Sequence, residues 1–554
     1  MPDSIEPPLK QPRSDGATNL SEYSLDESDI SSLNLPYCRF ASCTNDRPST
    51  KLSPVEHSSL RIASTPATSI TCSPVTEMPL QPKLLSHISS KLPELSNDET
   101  TIINSLFNYS DVLYTSRSHV GKLEDPLLYG TLLHITNHIL KLQARIEAHN
   151  LKIKQELPGP FPDQGFTRPS VLILCPFRSH VYKMVNYLFE IFPNIKEIGN
   201  KKRFLEEFGA LGTDDGYGDV MEKKPEDWNQ IFYGNVDDCF VLPVSFAFKQ
   251  IKLFSSFIKA DVIFASPLGL KMIIKKEGDF SFLSSLSMVF VDAVDVIFHQ
   301  NWEHLTSILG QVNQIPKKLS ETTDISRLWP VFQDGKPHVA RQTILYSHLN
   351  FPLLMNLFKK SSNMNGKVSF SKEPNAIISK LNNGGSQTFL RISNCSRANE
   401  IDNRFKILLS TVLPRLLVQK KRIVIFVSDY LTFTLAKQRL KKEQLHFYPI
   451  CEYDKKSTID RARTYFAKDQ EGVILLLSGR FYFYQRLKII NSHHIVFFDL
   501  PYYPIHYPFL INGSSENSST TIFSKFDGYF LENIVGSREA VSMINSDQTT
   551  FIVQ

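Results

Sequence analysis

A chain of 554 residues with 42% hydrophobic and 11% aromatic content, 39 Phe among them, is long enough for several domain-sized units of about 150 residues, each with a sizeable core. The formal charge of +5 divides into −5 over residues 1–100 and +10 over the remainder, so a polyanionic partner is favoured for the folded part without being required. Cys38, Cys43, Cys72, Cys175, Cys239, Cys395 and Cys451 form no Cys-x-x-Cys pair, the first residues lack a signal-peptide pattern and no apolar run approaches the ~18 residues of a membrane span; zinc, secretion and membrane insertion are therefore not expected, and a soluble intracellular protein with reduced thiols is.

Within residues 1–100, 19 Ser and 12 Pro and the acidic Asp26-Glu-Ser-Asp29 leave too little apolar surface to offset ordering entropy, so 1–97 is expected to be a disordered tail. Ser53-Pro54, Thr65-Pro66 and Ser73-Pro74 fit proline-directed phosphorylation and equally fit plain low complexity. Residues 98–165 read as a helical lead-in. Leu128, Leu132, Ile135, Ile139 and Leu142 share one helical face, Asp125 suits the cap, and Pro126 suits the first helical position. His134 and His138 stand at i, i+4, but no third ligand accompanies them, and a solvated or packed pair is expected rather than a metal site.

From residue 166 short apolar runs alternate with helical stretches. The runs at 171–175, 240–245, 262–265, 288–291 and 343–346 are almost continuously apolar, as strands of a sheet covered on both faces must be. After Asn382-Asn-Gly-Gly385 a second set follows at 423–427, 447–451, 473–477 and 495–498, with helices at 430–442 and 458–467. Residues 521–544 add a strand and a helix. The expected architecture is α/β, with a first lobe at 166–380 and a second at 381–554, each a doubly wound parallel sheet.

In such sheets ligands bind at the carboxyl ends of strands. Those ends carry Pro176-Phe-Arg178, Ala265-Ser-Pro-Leu-Gly269, Asp292-Ala-Val-Asp295 and Tyr346-Ser-His348, then Ser428-Asp-Tyr430, Ser478-Gly-Arg480 and Asp499-Leu-Pro-Tyr502. Their order resembles helicase superfamily 2, which implies two tandem RecA-like lobes. In a helicase acidic box the first Asp holds magnesium and a Glu positions water; here Ala293 replaces the Glu, leaving Asp292 and Asp295 as a degenerate box. No Gly-x-x-x-x-Gly-Lys-Ser/Thr loop occurs, and the prolines of Gly159-Pro-Phe-Pro-Asp-Gln-Gly165 remove the donors a phosphate would need. The last segment, Pro501 to Tyr507, lacks paired arginines. No catalytic residue, cofactor or metal is therefore expected. RNA binding needs less, and Arg178, Ser266, Gly269 and Arg480 are the candidates to hold a sugar–phosphate backbone, with salt-bridged or capping arginines as the alternative. The basic clusters Lys201-Lys-Arg203, Lys420-Lys-Arg422 and Lys437, Arg439, Lys441, Lys442 fit solvated faces or RNA contacts.

The stretches Asp125-Pro-Leu-Leu-Tyr-Gly130, Arg168 to Arg178, Lys202-Arg-Phe-Leu-Glu-Glu-Phe-Gly209, Lys224-Pro-Glu-Asp-Trp228, Gln300-Asn-Trp-Glu-His304, Cys451-Glu-Tyr453 and Arg461-Ala-Arg463 resemble the U3 small nucleolar RNA-associated protein 25 family, also called the digestive-organ expansion factor family, over about residues 100–554. The resemblance implies a nuclear, nucleolar component of the small-subunit processome with a helicase-like fold and no helicase activity. U3 small nucleolar RNA, pre-ribosomal RNA and processome proteins are the implied partners, and early pre-ribosomal RNA cleavage toward 18S RNA is the implied process. Two departures stand out: a short, weakly acidic head, and Gly479 where the family tends to carry Glu. Three readings follow: a non-enzymatic assembly factor, an ATP-dependent helicase using Asp292 and Asp295 for magnesium, and a scaffold that binds proteins alone.

Overall fold

The computed structural model describes residues 51–553, apart from 56–59, 67, 69, 210–223, 248, 320–322, 383–384, 394 and 469–471. Its first sheet contains β1 (Ser53–Val55), β2 (Arg61–Ser64), β3 (Asp111–Tyr114), β4 (Val171–Leu174), β5 (Glu197–Gly199), β6 (Val241–Ala247), β7 (Gln250–Leu253), β8 (Val262–Ala265), β9 (Met288–Val291), β10 (Gln342–Tyr346) and β11 (Lys367–Ser371), in the spatial order 1-2-11-3-10-9-4-8-6-7-5. From β11 to β8 every neighbour is parallel; β6, β7 and the β1–β2 hairpin add antiparallel edges. The second sheet holds β12 (Gln387–Arg391), β13 (Ile423–Val427), β14 (Phe447–Ile450), β15 (Ile474–Ser478), β16 (His494–Phe497), β17 (Ser518–Phe523) and β18 (Thr550–Val553), ordered 14-15-13-16-17-12-18 and parallel except for β18.

The chain thus forms two α/β lobes, each a doubly wound, RecA-like sheet with apolar layers on both faces. Ile173, Phe290 and Ile344 pack on one face of the first sheet, and Leu172, Val289 and Leu345 on the other. Phe426 and Phe497 of the second sheet face one layer, Ile425 and Val496 the opposite one. This strict alternation between two buried sides is why these strands read as unbroken apolar runs.

Two sequence expectations need correction. Residues 1–50 lie outside the described residues, but the described residues within 51–97, expected to belong to a disordered tail, are folded. β2 pairs with β11, Leu84 and Ile88 of helix Pro82–Ile88 are buried, and Thr65, offered as a phosphorylation site, is only 1% exposed. Few apolar residues suffice here because the segment docks on a sheet that already exists and borrows the backbone partners of β11. Nor is 98–165 merely a lead-in: β3 lies between β11 and β10, inside the first sheet, and helix Pro126–Lys154 packs on that sheet. Four residues starting with an Asp gave too short a signal. The buried Asp111 Oδ1 accepts from the Thr343 N–H (2.6 Å) and from Asn363 (3.1 Å), so this oxygen is engaged across the sheet and the residue does not mark a loop.

His134 and His138 are packed, as expected. His134 Nε2 meets Gln342 (2.8 Å), and His138 lies between Tyr109 (3.1 Å) and Ser287 (2.7 Å). Burial depresses both, His134 to about 4 and His138 to about 3.

Candidate functional site at the strand ends

The carboxyl ends of β3, β4, β9 and β10 converge on one group of charges. β3 runs through the loop 115–125 into helix Pro126–Lys154, a strand–loop–helix unit of the kind that cradles phosphate on backbone N–H groups. Here the chain supplies its own anion. Asp125 caps the helix, its Oδ1 accepting from the Leu128 N–H (3.1 Å), and Pro126 removes a donor at the first helical position. The Arg117 guanidinium, from the same loop, donates to both Asp125 oxygens (2.6 and 3.3 Å), lies 3.1 Å from Asp292 and stacks over Tyr346. Burial pushes the Asp292 carboxyl up and is the largest single influence, but Arg117, His180 (Nδ1 at 3.6 Å) and His119 together outweigh it, and the group is held at about 2. One cation thus neutralises two buried carboxylates.

Asp295 is spent differently. It accepts from His119 Nε2 (2.9 Å), the His348 N–H (2.9 Å) and, from the second lobe, the Tyr503 hydroxyl (3.1 Å). Burial opposes its charge, yet His119 and its other partners hold the carboxyl below the ordinary range. Around this bond the lobes meet through an apolar cluster that includes Phe177, Trp228, Phe232, Ala293, Val296, Phe483 and Tyr503. The His299 ring stacks on Phe483 at 4.2 Å, Trp228 Nε1 donates to the Tyr484 carbonyl (2.9 Å), and Arg486 pairs with Asp227 (2.9 Å). Arg61 on β2 adds a bond to Glu532 of the second lobe (3.2 Å). Ala293, at the position of the helicase Glu, is 4% exposed within this cluster and adopts a left-handed conformation (φ 50°).

The sequence candidates for RNA fall into two groups. Ser266 and Gly269 are internal, which corrects their assignment: Ser266 Oγ accepts from the Gly269 N–H (2.9 Å) as a helix cap, and a Cβ at Gly269 would stand 2.4 Å from the Phe240 carbonyl oxygen. β6 enters across this strand end and closes it. Arg178, 17% exposed, pairs with Asp237 (3.1 Å) and Glu207 (3.6 Å) and covers Phe208. Arg480, 34% exposed, lies 3.7 Å from Glu452. Glu452 also receives the Ser478 hydroxyl (2.8 Å), so an acid from the end of β14 stands beside the segment where Gly479 departs from the family. No side chain fits at 479, since a Cβ there would lie 2.8 Å from Ser428 Cα.

Gln300-Asn-Trp-Glu-His304 proves to be an architectural break. Asn301 leaves the helix Val294–Gln311 (φ −165°, ψ 108°), and its side chain accepts from the Glu303 N–H (2.9 Å), recapping the second half. Gln300 donates to the Pro176 carbonyl (3.2 Å), tying this break to the end of β4. Arg117, His119, Asp125, His180, His348 and Tyr503 were missed as site residues. The available signal was the strand–loop–helix at 111–126, hidden because β3 was unrecognised.

Topology and site together define a two-lobed, helicase-like α/β protein whose strand-end carboxylates are engaged by its own side chains. Residues 109–368 match the family model described as UTP25, NTP hydrolase-like domain, and residues 377–553 the one described as Utp25, C-terminal domain. The chain belongs to the U3 small nucleolar RNA-associated protein 25 family. It is 33% identical to U3 small nucleolar RNA-associated protein 25 of Schizosaccharomyces japonicus, over 88% of this chain and 77% of that relative. It is 32% identical to the Homo sapiens homolog over 84% of this chain, and spans 63% of that protein's length. Among solved structures, the yeast DEAD-box splicing factor Prp28 aligns with 84% of this chain and 85% of its own at 15% identity and a TM-score of 0.32.

Proposed function

We propose that this protein is a non-enzymatic ribosome biogenesis factor of the small-subunit processome, acting in the nucleolus. Its relatives' names carry the association with U3 small nucleolar RNA, and its own geometry supports a static role. The observation that carries the reading is the Arg117–Asp125–Asp292 group. The helix N-terminus and cation that would receive a phosphate already hold carboxylates. Asp295, the second acid of the degenerate box, is committed to the lobe interface through Tyr503. A closed two-lobe body of this kind serves as a platform for RNA and proteins.

In this reading Lys437, Lys441 and Lys442 on helix Tyr430–Lys442 are exposed, make no ion pair among the described residues, and offer the sequence-independent phosphate contacts. Arg178 and Arg480 join them only by exchanging carboxylate partners for phosphate. The support asked of the protein is early pre-ribosomal RNA cleavage leading to 18S RNA. Two experiments test this. The purified chain, given ATP and structured RNA, is expected to release phosphate at background rate, and micromolar ATP affinity with RNA-stimulated hydrolysis refutes the non-enzymatic role. Immunoprecipitation from nucleoli is expected to recover U3 RNA; recovery of processome proteins after nuclease treatment with no RNA crosslink to the chain favours the protein-only scaffold.

A further inference from the structure

Beside the Arg117 group lies a cavity of about 500 Å3 between the loop 115–125, helix Arg178–Ile191 and the 230–235 loop. Two glycines with left-handed backbone let these loops approach. A Cβ at Gly121 (φ 52°) would stand 3.1 Å from Gln230 Cα, and one at Gly234 (φ 72°) 3.1 Å from Ser179 Cβ. Lys183 holds the first loop in place by donating to the carbonyls of Gly121 (3.2 Å) and Leu123 (2.5 Å).

The lining contains hydrogen-bonding groups that no described residue satisfies. Tyr129 is 4% exposed, yet its hydroxyl has no partner among the described residues, and neither has the buried Ser179 hydroxyl. The Asn186 amide and Tyr233 hydroxyl, also in the lining, are likewise unpartnered among the described residues, and the exposed Lys122 makes no ion pair there. Tyr187 stands edge-on to Tyr129 at 5.5 Å. A buried hydroxyl without a partner costs free energy, and two of them in the lining of one cavity, beside a half-buried amide and a half-buried hydroxyl, mark a site completed by a ligand.

We propose that this cavity receives a single unstacked nucleotide presented by an RNA strand. The proposal rests on the RNA association put forward above and assigns a place to it. Aromatic walls with hydroxyls and the Asn186 amide suit a base, because that amide offers a donor and an acceptor to its edge. A free triphosphate is disfavoured: four lysines and arginines in the lining are balanced by four carboxylates, and the neighbouring helix N-terminus is occupied by Asp125. Lys122 remains for one backbone phosphate.

The test uses the full chain with fluorescein-labelled U, A and C oligonucleotides of about 12 residues, enough to span the cavity and its rim. Tyr129→Phe keeps the ring and removes only the hydroxyl; Asn186→Ala removes the amide. The double variant is expected to bind at least one oligonucleotide about tenfold more weakly, with an unchanged thermal midpoint. Oligonucleotides carrying 4-thiouridine are expected to crosslink to peptides within 178–191 or 229–235. Unchanged affinity in the variants, or crosslinks confined to helix Tyr430–Lys442, overturns the cavity assignment and leaves RNA association standing. Absence of binding by every oligonucleotide overturns both. Displacement of the oligonucleotide by micromolar ATP assigns the cavity to a free nucleotide and overturns presentation by RNA.

Discussion

Replacing Arg117 with Met removes the cation from two buried carboxylates while keeping most of the side-chain volume. With the guanidinium present, Asp292 is held at about 2; without it, burial is opposed only by His180 and His119, and the group moves up toward its ordinary 3.8. A change of up to ~2 units is worth about 2.5 kcal/mol at ~1.36 kcal/mol per unit. Asp125 loses its two-pronged bond as well, and Tyr346 loses a stacked cation worth about 1 kcal/mol. The total, roughly 4–5 kcal/mol, matches the cost of breaking a buried ion pair from one side. Urea denaturation at pH 7 should show this loss in Arg117→Met, and Arg117→Met combined with Asp292→Asn should recover about half of it. The sign with pH is fixed: Asp292 stabilises the wild type above its unfolded value of 3.8, and that contribution disappears as pH falls through about 2. The gap between wild type and variant should therefore shrink toward pH 3. A loss below about 1 kcal/mol at pH 7 would refute the reasoning, since it would mean that the carboxylates are satisfied without Arg117.

Tyr503→Phe removes a hydrogen bond to an ionised, buried carboxylate, worth about 1.5–3 kcal/mol, and hydrogen exchange should rise at 293–299 and 499–507 together if the lobes part there. Ala293→Glu restores the residue type of a helicase box; because 293 sits in the packed interface, the variant should lose stability and still release phosphate from ATP at background rate. His134, His299 and His494 are depressed by burial to about 4, so the unfolded chain takes up protons first and the urea midpoint should fall steadily between pH 6.5 and 4. Asp499 behaves oppositely: burial raises it to about 7, stability drains as pH rises from 4 to 7, and Asp499→Asn should have the higher urea midpoint at pH 8, with the Ser428 N–H bond to position 499 (2.8 Å in the wild type) retained.

Much of this was legible without coordinates. Val262–Ala265, Met288–Val291, Ile423–Val427 and helix Tyr430–Lys442 fall where their patterns place them, because residues buried on both faces of a sheet have no freedom to be polar. Asp125 caps its helix and Pro126 opens it, as local chemistry requires. The short polar strands were not legible. β2, β3, β7 and β12 are short and polar at one end or more, and exist because neighbouring strands on both sides supply their ladders. The strand-end arginines show the same limit, since Asp237, Glu207 and Glu452, which engage them, come from separate loops and helices.

By itself the sequence determined that two α/β lobes follow one another, that the acidic box lacks its Glu, and that no phosphate-loop motif is present. These are matters of residue type and local period. Only the tertiary structure decided where the charges go: Arg117 bonds acids 8 and 175 positions away, and Asp295 reaches a tyrosine 208 positions along the chain. A buried charge must find a counter-charge or donor within a few ångströms, and no local rule names which distant loop will bring one.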